Sequence, residues 1–142
     1  MFNFVVKYLG YLKIVPLFPN IFDGFLTFYT YLTNARLLDG MDDITAEVLS
    51  WPGTTKCLHK YGGLQFNCAG REMGHLHGNG VLDVRLTRKL KAQLMPEGRI
   101  RNHHVFKTTG WVSFYMDGWD DAEYAIMILR LAWQQINNIP VK

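Results

Sequence analysis

The chain has 142 residues, the size of one domain and too short for two comfortable ones. Hydrophobic residues make up 49% and charged residues 19%, which is typical of a folded globular protein and unlike a disordered one. The formal net charge of +3 is too mild to predict a nucleic-acid-binding protein. Two cysteines do not make a disulfide framework, and no secretory signal is recognisable, so we expect a reduced, cytoplasmic protein.

The N-terminal segment is rich in aromatic side chains and poor in charges. Helices are predicted over residues 2–14 and 21–35, separated by Pro16 and Pro19. No uncharged stretch reaches the roughly 18–20 residues that cross a bilayer. Two interpretations stay open: short helices that cover one face of the domain, or peripheral contact with a membrane through residues 1–35.

A change of pattern divides the chain near residue 50. A third helix is predicted to begin at Asp42 and Asp43, since acidic residues favour a helix N-terminus, and to end before Trp51. Apolar and polar residues alternate beyond it. We therefore take residues 1–50 as an apolar helical segment that packs on the domain and residues 51–142 as its α+β part.

The first predicted hairpin joins residues 55–61 to residues 64–69 through a Gly62-Gly63 pair. This turn places Cys57 directly opposite Cys68, close in space but reduced. The histidine of the first strand then lies on the same apolar face as the cysteines.

The second predicted hairpin joins residues 71–77 to residues 81–87 through a Gly-Asn-Gly turn. A two-residue Asn-Gly loop would place both histidines of the first strand beside the apolar residues of the second. A three-residue loop, with Gly80 in the left-handed conformation, instead places His75 opposite Asp83. We favour the three-residue loop because it separates polar from apolar residues better.

The remaining elements complete an α+β fold. They are a helix over residues 87–95, strands over 102–108 and 111–116, and a long helix capped by Asp120 or Asp121 that ends near residue 137. The expected architecture is a helical N-terminal segment followed by an antiparallel sheet of two hairpins and a further strand pair. One short helix and the long C-terminal helix pack on that sheet.

A histidine pair is the strongest chemical signal. His75 and His77 are two residues apart on a strand, so their rings point to the same side. With Asp83 opposite, they could bind a metal through two nitrogens and one oxygen, and His103 or His104 could add a third nitrogen.

The same groups could also act without a metal. An imidazole held by Asp83 or Glu72 is oriented and made more basic, which suits proton abstraction. Arg71, Arg85 or Arg101 could stabilise an enolate or carboxylate. A third interpretation is structural, with an ion pair and hydrogen-bonded histidines. We expect no metal, because Asp83 is the one carboxylate well placed beside the histidines and Arg71 and Arg85 oppose a cation.

A basic stretch gives a second functional hypothesis. Between Arg71 and Lys107 there are eight basic residues and three acidic ones. The stretch is either a solvated helix face or a surface for an anionic ligand or partner. A non-catalytic binding or membrane-associated module that uses residues 85–107 is therefore the alternative to an enzyme.

Several stretches resemble the luciferase-domain family, which joins uncharacterised bacterial proteins with the fungal luciferases. They are the run Gly-Arg-Glu-Met-Gly-His-Leu-His at 70–77, the His103-His104 pair, Gly-Trp-Val-Ser-Phe at 110–114, and the helix over 125–133. The resemblance covers roughly residues 50–135.

The fungal members of this family oxidise a hydroxylated α-pyrone with molecular oxygen and are not known for a metal or flavin. The resemblance therefore implies an oxygen-dependent, cofactor-independent oxidase or monooxygenase-like enzyme that acts on an acidic phenol or enol-type compound. Carried over residue by residue, it points to Arg71, Glu72, His75, His77 and His104. Asp83 fits the bacterial pattern more than the fungal one.

These arguments together define the candidate site. The candidate catalytic residues are His75, His77, Glu72, Asp83 and His104. The candidate substrate-binding residues are Arg71, Arg85, His103, Arg101 and Trp111, although Trp111 also suits the core. We expect an anionic or aromatic small molecule as the ligand, molecular oxygen as a co-substrate, and neither a metal nor an organic cofactor. The oligomeric state stays open.

Overall fold

The computed structural model describes residues 18–140, and the helix predicted over residues 2–14 lies outside this range. Within residues 18–140, four α-helices and six β-strands follow one another. They are α1 (Phe18–Thr33), α2 (Ala35–Leu49), β1 (Thr54–Leu58), β2 (Leu64–Cys68), β3 (Arg71–Leu76), β4 (Val81–Arg85), α3 (Arg88–Leu94), β5 (Ile100–Asn102), β6 (Trp111–Tyr115) and α4 (Ala122–Ile136).

The six strands form one antiparallel sheet in the order β1-β2-β3-β4-β6-β5. α2 and α4 pack on one face, because each helix carries apolar residues at intervals of three and four. The centre of this core is fully buried and consists of Ile44, Val48, Phe66, Met73, Leu82, Val84, Val112, Ala125, Ile128 and Leu129. This architecture confirms the predicted α+β class.

The second hairpin, β3 and β4, has the predicted three-residue loop. The N–H of His77 donates to the Val81 carbonyl at 2.9 Å, and Gly80 is left-handed with φ 81°. His75 consequently lies directly opposite Asp83, which confirms the favoured register. The separation of polar from apolar residues was a sufficient guide here.

The first hairpin, β1 and β2, does not have the predicted register. Cys57 lies opposite Gln65 rather than Cys68, a shift of three residues along β2. The strands are joined by a five-residue loop, residues 59–63, instead of a two-residue turn. Cys57 is exposed and Cys68 is buried, so the two thiols lie on opposite faces of the sheet.

The two glycines of this loop explain the error, because they allow close packing as well as a turn. Both have positive φ, 91° at Gly62 and 93° at Gly63. A Cβ on Gly62 would lie 2.6 Å from the carbonyl oxygen of Pro19, and one on Gly63 would lie 2.6 Å from that of Leu76. The loop therefore fits closely against α1 and β3.

The strand predicted over residues 102–108 is also wrong, since β5 is only three residues long and a loop leads to β6. The ammonium of Lys91 binds two carbonyl groups of this connection and one at the start of β6. Its Nζ donates to Lys107 and Thr109 at 2.9 Å and to Trp111 at 3.1 Å. Within residues 102–108, the N–H groups of Val105 and Phe106 donate to the ring of His103, so they are not available to a strand ladder.

Both helices that precede the sheet begin earlier than predicted. α1 starts at Phe18, with Pro19 in its first turn, where a missing N–H costs nothing. α2 starts at Ala35 rather than at Asp42. Leu37 is buried in the first turn of α2 and extends the apolar stripe of that helix.

The outer face of α1 is apolar and exposed. Its large side chains are between 55% and 69% exposed, and they are Ile21, Phe25, Phe28, Tyr29, Tyr31 and Leu32. Among the helices described for residues 18–140, none is long and apolar enough to cross a membrane.

Candidate functional site

A β-bulge in β3 aims an acidic side chain at the second face of the sheet. Phe66 and Asn67 are consecutive in β2, but they lie opposite Gly74 and Glu72, which are not consecutive in β3. Met73 is therefore the extra residue of the bulge. Met73 turns into the core and is fully buried. Without the bulge, Glu72 and His75 would point to opposite faces; with it, Glu72 lies beside the histidine.

The centre of the site is the carboxylate of Asp83, which is 2% exposed. Its Oδ1 accepts a hydrogen bond from the hydroxyl of Ser113, which lies opposite Asp83 on β6. Its Oδ2 faces three imidazole nitrogens. The distances to Oδ2 are 3.4 Å from His75 Nε2, 3.6 Å from His103 Nε2 and 3.8 Å from His77 Nε2.

Two further carboxylates hold the other nitrogens of the histidine pair. Oε1 of Glu72 lies 2.8 Å from His75 Nδ1. Oδ1 of Asp23, on α1, lies 3.3 Å from His77 Nδ1 and accepts the N–H of Gly78 at 3.0 Å. A carboxylate accepts hydrogen bonds, so each Nδ1 is the donor and each Nε2 is directed to Asp83.

His103 has the opposite arrangement of its ring nitrogens. The N–H groups of Val105 and Phe106 both donate to its Nδ1 at 3.1 Å. The neutral ring therefore carries its proton on Nε2 and presents a donor to Asp83. Burial is the main reason that the pKa of His103 is lowered, which favours this neutral form. The loop also brings His104 to the cleft, with its ring stacked 4.4 Å from that of His103.

His59 belongs to the cluster, although sequence reasoning did not select it. Its ring stacks on that of His75 with centroids 3.8 Å apart. Burial, followed by the nearby charge of His75, lowers the pKa of His59 to about 4. Its buried Nδ1 has no hydrogen-bond partner among the described residues. A correct register for the first hairpin would have placed His59 on this face.

The charged forms of His75, Glu72 and Asp83 stabilise one another. Burial lowers the pKa of His75, but its interactions with the carboxylates of Asp83 and Glu72 outweigh burial and raise that pKa to about 8. Burial raises the pKa of both carboxylic acids, yet hydrogen bonding to His75 brings each below its usual range. The site therefore holds buried negative charge that requires a positive partner.

A cleft of about 500 Å³ opens above this cluster. α1 contributes apolar side chains to one wall, including Phe18, Phe22 and Leu26. Trp111 also lines the cleft, with its ring centroid 5.7 Å from that of His75. The cleft has aromatic walls and an ionic, histidine-rich floor.

The structure does not bring the candidate arginines into the cleft. Arg71, Arg85 and Arg101 are exposed, and within residues 18–140 none of them lines it. The guanidinium of Arg101 instead lies 5.4 Å from the ring of Tyr115. Among the described residues, the lysine or arginine that does line the cleft is Lys60.

The candidate residues are thus only partly assembled. The structure brings together His75, His77, Glu72, Asp83, His103, His104 and Trp111, and it adds Asp23, His59 and Ser113. Asp23 could not be linked to the site by strand periodicity, because it is on a helix remote in the sequence.

Comparison with known proteins finds similarity to one family. No curated protein and no solved structure matches the chain significantly. The model of the Luciferase domain family matches residues 70–132, which extend from β3 into α4 and include Glu72, His75, Asp83 and His103. The segment that carries His75, His77, His103 and His104 is therefore similar to the luciferase domain, which confirms over residues 70–132 the resemblance predicted from the sequence.

Proposed function

We propose that this chain is an oxidoreductase that uses molecular oxygen to oxidise a small phenol or enol-type compound, without a flavin or nicotinamide. One observation carries the proposal: an aromatic cleft of about 500 Å³ ends on a buried cluster of imidazoles and carboxylates. The apolar walls suit a flat ring, and the floor suits an ionisable hydroxyl group. The family match supports a luciferase-like oxidoreductase in general terms.

The cluster has groups that could stabilise the anion of a deprotonated substrate and groups that could accept its proton. The Nε2–H of His103 would donate to an oxyanion at the floor of the cleft, and the positive charge of His75 would offset part of the negative charge of Glu72 and Asp83 beside it. The released proton would pass to the imidazole–carboxylate cluster, whose rings are held by Glu72, Asp83 and Asp23. In this proposal the arginines do not stabilise the anion, and histidine takes that role.

Oxygen uptake tests the proposal directly. The full chain is incubated with a panel of ring-bearing phenols and enolisable lactones, each paired with its O-methyl ether, and oxygen is followed with an electrode. We expect uptake with one or more free hydroxyl compounds and none with the matched ethers, because the ether cannot form an anion. Equal uptake with both members of a pair, or no uptake with any compound, would refute the proposal.

The outer face of α1 favours a second candidate function, peripheral binding to a lipid surface. This face presents six exposed apolar or aromatic side chains and no charged one, since Asp23 points to the cleft. We expect the full chain to sediment with phosphatidylcholine vesicles and a Phe25→Ser/Phe28→Ser variant to stay in the supernatant. A wild-type chain that also stays in the supernatant would contradict this candidate.

A further inference from the structure

We propose that the cluster binds one divalent transition-metal ion through His75 Nε2, His77 Nε2 and Asp83 Oδ2. These three ligand atoms lie within 4.8 Å of one another. This inference goes beyond the proposed function, because metal binding can be measured without any substrate.

The spacing around Asp83 fits coordination better than hydrogen bonding. His75 Nε2 and His77 Nε2 lie 3.4 and 3.8 Å from Oδ2, beyond the usual 2.7–3.2 Å of an N–H···O hydrogen bond. Two ligands that bind one ion at about 2.1 Å are themselves roughly 3.0–3.4 Å apart. Small side-chain rotations would therefore suffice to place all three atoms around an ion.

The outer contacts of both rings are those of metal ligands. A histidine that binds a metal through Nε2 usually donates its Nδ1–H to a carboxylate or carbonyl, which fixes the tautomer and the ring orientation. Glu72 receives this hydrogen bond from His75, and Asp23 receives it from His77. Asp83 is held in turn by Ser113.

One nearby histidine, His103, is a less suitable ligand. His103 uses the lone pair of Nδ1 for two backbone N–H groups, so its neutral ring carries a proton on Nε2 and cannot bind a metal through that atom. It can instead donate to a molecule bound at the ion. This assignment separates the proposed triad from a neighbouring group formed by Asp83, His103 and His104.

The charges around His75 and His77 differ from those expected from the sequence, and they favour a bound cation. That expectation relied on a single carboxylate and on opposing arginines. Among the described residues, three carboxylates contact the rings of His75 and His77: Glu72, Asp83 and Asp23. Arg71 and Arg85 are exposed and do not line the cleft. A divalent ion would displace the Nε2 proton of His75 and provide in its place the positive charge that the buried carboxylates require.

The ligand set indicates the class of metal. Two imidazoles and one carboxylate, with other positions open to the cleft, are the ligands of non-haem iron(II) sites and also suit cobalt(II), manganese(II) and zinc(II). The open positions would face the space in which an oxyanion or oxygen could bind.

Cobalt(II) titration tests the site, because its visible absorption reports coordination. The full chain is stripped with a chelator, titrated with Co²⁺ and compared with four variants. We expect one equivalent to bind with ligand-field absorption bands. His77→Ala and Asp83→Asn should weaken binding at least about 100-fold, and Glu72→Gln about 10–100-fold through its outer contact. His104→Ala should retain binding within about threefold.

Circular dichroism establishes that each variant is folded before its affinity is interpreted, and Glu72→Gln supplies a test with all three ligands in place. Absence of stoichiometric Co²⁺ binding by the folded wild-type chain would overturn the proposal. So would binding that is unchanged in His77→Ala and Asp83→Asn. Binding lost in His104→Ala and retained in His77→Ala would assign the ion to the neighbouring group and also overturn it.

Discussion

Replacement of Gly74 by alanine is expected to lower the free energy of unfolding by at least about 2 kcal/mol. Gly74 lies opposite Val84, where β3 and β4 come very close. A Cβ there would overlap the carbonyl oxygen of Asp83 and lie 3.1 Å from the Cα of Val84. Backbone atoms cannot rotate away as a flexible side chain can, so the two strands would have to separate beside the His75–Asp83 pair.

Thermal unfolding gives the measurement for Gly74→Ala, with an expected fall in Tm of roughly 5–10 °C for a chain of this size. Gly118→Ala is the matched control, because a Cβ at Gly118 would meet nothing within 4 Å. We expect the control to retain its Tm within about 2 °C. Equal Tm values for the two variants would show that the close approach of β3 and β4 carries no energetic cost.

Asp83→Asn is expected to lower oxygen uptake at least about 100-fold with any compound that the wild-type chain oxidises. The change removes the charge that faces three imidazole nitrogens but keeps the size of the side chain. An amide oxygen can still accept the hydrogen bond from Ser113. The loss should therefore be chemical, with the fold retained.

Asp39→Asn is the control for this experiment, because Asp39 is an exposed carboxylate on α2. It should retain uptake within about twofold, and circular dichroism should show both variants folded. Substantial uptake by folded Asp83→Asn would mean that the carboxylate is not needed, and the cluster would then have only a structural role.

The central part of the site was predictable because its pattern is local. In the second hairpin, a two-residue and a three-residue loop were both compatible with the sequence, and the separation of polar from apolar residues favoured the three-residue loop with a left-handed Gly80. The opposition of His75 and Asp83 follows from that choice. The long C-terminal helix was predictable for a similar reason, since its apolar spacing repeats over several turns.

The prediction failed where a residue serves contacts that are distant in the sequence. Gly62 and Gly63 suggested a tight turn, but their missing side chains also make room for the backbone of α1 and β3. This error moved His59 to the wrong face. The bulge at Met73 is equally hidden, because the extra residue shifts the alternation only for Arg71 and Glu72, and two residues are too few to show a pattern.

The loop that carries His103 illustrates a third kind of failure. Residues 102–108 have the composition of a strand, but the ammonium of Lys91 on α3 donates hydrogen bonds to the backbone carbonyls of Lys107 and Thr109. The loop then satisfies His103 Nδ1 with two of its own N–H groups. A sequence pattern does not show which carbonyl groups will accept hydrogen bonds from a lysine that is remote in the sequence.

The wall of the cleft that α1 provides has an evolutionary consequence. Asp23, Phe22 and Leu26 precede the segment that matches the luciferase domain, whereas the histidine floor lies mostly within it. The two halves of the cleft can therefore diverge at different rates. Substitutions at Phe22 or Leu26 would change the wall of the cleft and leave the histidine floor intact, so similarity over residues 70–132 does not by itself indicate a shared substrate.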